Sequence, residues 1–181
     1  MNISEVWKYS KIGIETFLTS IVFFYSHFTL ILVSLIPSLT RAFQMWNADT
    51  PFWLEGIVLI TRIFLFLLIL SILSKVKISE LKNKSFWDRF FQSFTNQLNK
   101  NWPYGFIAQI AAFIILLYGL GNLFIMLLSG LFEPTLELMG IQPVDSDAAY
   151  NASVYFLKNM SVIPLAIVYI LVMCGAKSTK N

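Results

Sequence analysis

Four long apolar runs govern what this chain can become. They cover about residues 16–36, 52–73, 104–128 and 155–174. A helix rises about 1.5 Å per residue, so roughly 20 apolar residues cross a hydrocarbon layer about 30 Å thick. A single water-soluble core of this size does not absorb that much oil. The chain is 57% hydrophobic and 13% charged, whereas soluble domains run near 45–50% and about 25%. Lipid leaves no partner for free backbone groups, so the spans must be helices or a closed barrel. The runs lack the period-two alternation of barrel strands. The predicted fold is all-α: one integral membrane domain over 1–181, built as a four-transmembrane-helix bundle. Pro37 directly follows the first run and is expected to end or kink that helix.

Lysine and arginine set the expected orientation. Lys8 and Lys11 precede span one. Lys75, Lys77, Lys82, Lys84, Arg89 and Lys100 lie between spans two and three, and Lys177 and Lys180 follow span four. The opposite side holds Arg41 and the acidic residues Glu133, Glu137, Asp145 and Asp147. The bias predicts a multi-pass protein with both termini cytoplasmic. Trp46, Trp53, Tyr150 and Tyr155 then mark the outer interface, and Trp7, Trp87, Trp102 and Tyr104 the inner one. Lys158 falls at the outer end of span four, where a lysine snorkels to the headgroups. The first run is longer than a signal-peptide core and lacks a small-x-small exit, so the mature chain is expected to start near Met1. The third outer segment, with Pro134, Gly140 and Pro143, reads as irregular with one short helix, and Asp145 or Ser146 is placed to start a helix continuing into span four.

The segment between spans two and three is more than a linker. Phe86, Phe90, Phe94 and Leu98 recur every four residues, with Trp87 and Phe91 beside them. This is a helical apolar stripe. Ser85 with Asp88 resembles a capping box. Arg89, Gln92, Ser93, Asn96 and Gln97 populate the other face. The spacing predicts an amphipathic cytoplasmic helix over 86–98, lying in the inner headgroup layer or packed under the bundle, with membrane lipid as its first partner.

Polar residues inside the spans are few, and each needs a reason. Arg62 sits in the middle of span two, seven residues after Glu55. A midplane arginine costs about 2.5–3.5 kcal/mol on insertion scales, so it faces other helices or water and takes a partner. Gly13, Ser20, His27, Ser34 and Arg41 recur at heptad spacing in span one, which places them near one helix face. The expected network is Arg62, Glu55, His27 and Arg41, with Arg41 on Glu55, and Arg62 on Glu55, neutral His27 or a free carbonyl. Helix gluing is one role for such a network and a site for an anion or a charge relay is the other. In span three Ala108, Ala112, Gly119 and Asn122 offer a close-packing face, serving either this chain or self-association. Gln109 and Asn122 are able to bond across an interface. Asn159, Ser161 and Pro164 mark a bend in span four.

Motif chemistry is sparse. One cysteine, Cys174, allows no internal disulfide, and one histidine, His27, argues against a histidine-built metal site. No GxSxG, HExxH, CxxC or phosphate-cradling glycine loop occurs, and no cofactor is expected. The acidic residues of the third outer segment lack calcium-loop spacing. Asn151-Ala152-Ser153 matches a glycosylation sequon that chance also supplies. The Phe-, Ile-, Asn- and Lys-rich style resembles small plasma-membrane proteins of bacteria with AT-rich genomes. The expected function is non-catalytic: an accessory, immunity or stress factor, or a subunit of a larger membrane complex, with no role for nucleic acid. The alternative is a subunit of an oligomeric small-solute or ion transporter or channel using Arg62, Glu55 and His27. A cavity reaching Arg62 favours the second reading, and a sealed, paired Arg62 favours the first.

Overall fold

The computed structural model describes residues 3–47, 49–138 and 146–176, with the backbone alone at 3–6, 133, 136, 137 and 146. Helix is the only regular structure among them. α1 (Ile3–Ser26) and α2 (Phe28–Trp46) are separated only by His27. α3 (Trp53–Ser74) returns. A short 3₁₀ turn (Ile78–Lys82) leads into α4 (Lys84–Asn101). α5 (Tyr104–Ala112), a wider π-helical stretch (Phe113–Leu120) and α6 (Gly121–Gly130) form one rod. α7 (Phe132–Leu138) is the short helix expected in the third outer segment. α8 (Ser146–Leu157), a second π-helical stretch (Lys158–Val162) and α9 (Ile163–Met173) form the last rod. Four helices are long and apolar enough to cross a membrane: Phe28–Trp46, Trp53–Ser74, Tyr104–Gly130 and Asp147–Met173.

Three local expectations need correction. The first concerns the helix expected over 16–36, which in the structure continues to Trp46 and breaks at His27, not at Pro37. The cause is side-chain competition for one carbonyl. Ser26 Oγ donates to Phe23 O at 3.0 Å, and His27 Nδ1 sits 2.6 Å from the same oxygen. The His27 N–H turns instead to Phe24 O at 3.2 Å. Such local bonds offer the backbone an alternative to the helical ladder. Pro37 is simply buried inside α2.

The second correction is in span four. The helix begins at Ser146, as the reading of Asp145 or Ser146 expected, so the last rod starts well before residue 155 and Lys158 lies within it. Asp145, Gly140 and Pro143 lie outside the described residues, as do Lys177 and Lys180, and the side chains of Glu133 and Glu137 are not described. Third, Asn83 and not Ser85 stands at the N-cap of α4, and no side-chain cap bond forms there.

The packing splits the first helical pair. α2 lies against α3 and α8, while α1 lies against α5 and α9. Phe24, Leu30, Ile69, Leu70, Val168 and Tyr169 are fully buried where these helices meet. Between helices in lipid, close packing and hydrogen bonds replace the hydrophobic drive, and both are present. Tyr169 OH donates to Gln109 O at 2.7 Å, and Gln109 Nε2 donates to Thr16 Oγ1 at 3.2 Å, tying α9, α5 and α1 together. The α5–α6 rod turns most of its surface outward, with Ile107, Ile114, Phe124 and Leu127 exposed.

One end of the bundle collects the start of α1, the α3–α5 connection and the end of α9. Tyr9 and Tyr104 rings lie 5.9 Å apart, and Ser93 Oγ donates to Gly175 O at 2.9 Å. Lys8 and Lys11 therefore share an end with Lys75–Lys100, and this is the basic end.

Candidate functional site

The α2–α3 turn is short, so the last turns of α2 face the first turns of α3. That brings Arg41 opposite Glu55. Arg41 Nη1 donates to Glu55 Oε1 at 2.5 Å and Nη2 donates to Oε2 at 2.6 Å, a fork-to-fork pair. Gln44 Nε2 adds a bond to Oε1 at 3.1 Å, and Arg41 Nη1 also reaches Gln44 Oε1 at 3.1 Å. Glu55 thus accepts three bonds and holds α3 to α2.

Arg62 lies two turns further along α3. In a helix the Cα–Cβ bond tilts toward the N-terminus, so the side chain leans back toward the Glu55 level. Its partner, though, is neither Glu55 nor His27. Arg62 Nη2 donates to Asn159 Oδ1 at 2.6 Å, and Nε is buried with no partner. No carboxylate among the described residues lies within ion-pair distance of Arg62. With Arg41 matched by Glu55, the three charged groups that meet here, two guanidiniums and one carboxylate, leave one positive charge in excess.

Asn159, the partner of Arg62, is a residue that sequence reasoning treated only as a bend marker. Its placement follows from Pro164, which has no N–H to continue the ladder. The turn before it widens into the π-helical stretch Lys158–Val162. Side chains then take backbone acceptors: Asn159 Nδ2 donates to Tyr155 O and Ser161 Oγ to Leu157 O, each at 2.7 Å. Asn159 is left with its oxygen free for Arg62. The available signal was an asparagine just before an intramembrane proline.

A recess of about 330 Å³ opens beside this group. Arg41, Glu55, Arg62, Phe52, Val58 and Leu59 line it together with Gly56. A Cβ placed on Gly56 would meet no atom within 4 Å. His27 is elsewhere: its ring lies tilted against Phe23, 4.5 Å between centres, and Nδ1 bonds back to the carbonyl of Phe23. The expected four-residue network is therefore two groups, Arg41–Glu55–Gln44 and Arg62–Asn159, with His27 in neither.

The small-residue face of span three also divides. Gly13 of α1 seats on Ala108 and Ala112; a Cβ on Gly13 would stand 2.6 Å from Ala112 Cβ and 3.0 Å from Ala108 O. That half is used within the chain. Gly119 and Asn122 instead border a groove of about 560 Å³ between the third and fourth rods, with Tyr118 and Lys158 at its polar edge. Asn122 Nδ2 returns to Tyr118 O at 2.6 Å, and Lys158 Nζ lies 5.9 Å from the Tyr155 ring centre.

α4 packs against the basic end of the bundle. Phe86 is buried, Phe90, Phe94 and Leu98 are half-buried, and Trp87 Nε1 donates to Leu81 O at 2.8 Å. Ser93 and Gln97, expected on the polar face, sit against Gly175. The row 86, 90, 93, 97 runs alongside 86, 90, 94, 98 on a helix, and tertiary contact selected both.

Compared with protein-family models, curated proteins and solved structures, the chain matches none. Its function has to be read from the geometry.

Proposed function

We propose that this is a non-catalytic multi-pass protein of the plasma membrane, bacterial by its composition, that works by contact as an accessory, immunity or stress, or complex-partner subunit. Both termini are cytoplasmic on this reading, because the clustered lysines at one end of the bundle belong inside. α4 then rests at the inner headgroup layer, with Phe91 exposed beside Arg89. The observation that carries the reading is the groove at Gly119 and Asn122. A glycine at the lip of an apolar groove lets a second helix approach closely, and Asn122 and Lys158 supply polar contacts. The occupant is a transmembrane helix of a partner protein. Arg41–Glu55, Arg62–Asn159, Gln109–Thr16 and Tyr169–Gln109 join helices of this chain to one another, which suits a rigid contact module.

The test is purification in mild detergent with Gly119→Leu as comparison. The unaltered chain is expected to return with a partner in fixed stoichiometry, and Gly119→Leu to return alone but folded, with a small drop in melting temperature because its Cβ would stand 3.3 Å from Ile114 O. Recovery of this protein alone in both cases defeats the proposal.

The recess at Arg62 favours a second reading, a subunit of an oligomeric small-solute or ion transporter. Arg62 and Glu55 would line its route without His27. Flux into liposomes that is unaffected by Arg62→Gln removes this reading.

A further inference from the structure

The recess between the start of α3 and the end of α2 has the chemistry of an oxyanion site. Two guanidiniums and one carboxylate line it, so one positive charge is left over. Arg41 is committed to Glu55 through both terminal nitrogens. Arg62 has five N–H donors, and one of them bonds Asn159. Its buried Nε bonds nothing. A buried donor without an acceptor is costly, and a guanidinium without a counter-ion in an apolar layer more so. The rest of the recess wall is apolar, from Phe52, Val58 and Leu59. Below it the exposed face of α3 continues as Leu59, Ile60 and Ile63. A charged head next to the guanidinium with a hydrocarbon tail along α3 fits this layout.

We propose that this recess binds a phosphate diester of net charge −1, with Arg62 as its counter-ion. Gly56 lines the recess, and a Cβ there would project into space that is now empty. The Arg41–Glu55 pair sets the selectivity. A neutralised Arg41 leaves a single charge to satisfy, and the Glu55 carboxylate repels a second negative charge on the ligand. The phosphate source is either an anionic phospholipid or a free phosphate ester. The proposal does not depend on the Gly119 groove, and its failure leaves the contact reading standing.

The experiment uses the full chain in a neutral maltoside micelle, titrated separately with phosphatidylglycerol, phosphatidylcholine and the water-soluble diester glycerophosphoglycerol. Binding is read by native mass spectrometry and by thermal shift. Phosphatidylglycerol is expected to bind and raise the melting temperature while phosphatidylcholine does not. Gly56→Leu is expected to weaken that binding about 10- to 100-fold, the worth of a charged hydrogen bond, while folding normally, because nothing stands where its side chain would go. Arg62→Gln is expected to do the same; if it fails to fold, Gly56→Leu still decides. Saturable binding of glycerophosphoglycerol, abolished by Gly56→Leu, assigns the free ester as the source. The proposal is overturned if no phosphate species binds, if phosphatidylcholine binds as well as phosphatidylglycerol, or if Gly56→Leu retains full affinity. The last result would place the lipid elsewhere, as on the lysines of 75–84.

Discussion

Replacing Gly13 by alanine tests the contact on which the α1–α5 packing rests. The new Cβ would lie 2.6 Å from Ala112 Cβ and 3.0 Å from Ala108 O. Carbon atoms rest at about 3.5–4.0 Å, so the helices must part by roughly 1 Å. Neither obstacle is the end of a flexible side chain. A gap of that size forfeits about a quarter to a half of the dispersion energy along the seam. Overpacking of this kind costs about 1–3 kcal/mol. Parting the helices also stretches the Gln109–Thr16 bond, already 3.2 Å long. Alanine returns up to about 1 kcal/mol through helix propensity. Gly56→Ala isolates that return, because it makes the same change on a helix with open space around it. In SDS-induced unfolding from mixed micelles, Gly56→Ala should be neutral or stabilising and Gly13→Ala destabilising. The two should differ by about 1–3 kcal/mol, the packing cost alone. Equal effects at both positions would show that α1 and α5 are not in contact at Gly13, and the reasoning about the span-three face would fail with it.

Three further outcomes are expected. In a double-mutant cycle Arg62→Leu and Asn159→Leu should couple by about 1.5–3 kcal/mol, the value of a charged hydrogen bond. Arg62→Leu and Glu55→Gln should couple more weakly in the same unfolding assay, since no hydrogen bond joins them and only a longer-range charge attraction remains; coupling as strong as that of Arg62 with Asn159 would refute the two-group arrangement. Gly175→Ala should loosen α4: Gly175 has φ +80° and a Cβ would stand 2.7 Å from Gln97 Cγ. A left-handed alanine costs about 1–2 kcal/mol before any clash, so hydrogen exchange over 84–101 should accelerate while α3 stays protected.

The helical class, the four apolar rods and the helix after Lys84 were legible in residue order because they depend on local quantities: hydropathy summed along a run and spacing around a helix. Arg41 with Glu55 was legible too, since a short turn between two helices places their ends side by side. The rest depended on contact between distant segments. Ser26 and His27 broke the first helix by competing for Phe23 O, a contest no hydropathy window registers. Pro164 widened a turn and thereby handed Asn159 to Arg62, across a separation in sequence that periodicity does not span. The same apolar stripe on α4 suits a membrane surface or a bundle, and contact with Gly175 selected Ser93 and Gln97 for its packed side. Whether a polar residue inside the rods is satisfied, and by what, is a property of three-dimensional neighbours, because the desolvation cost it must offset is local in space and not in sequence.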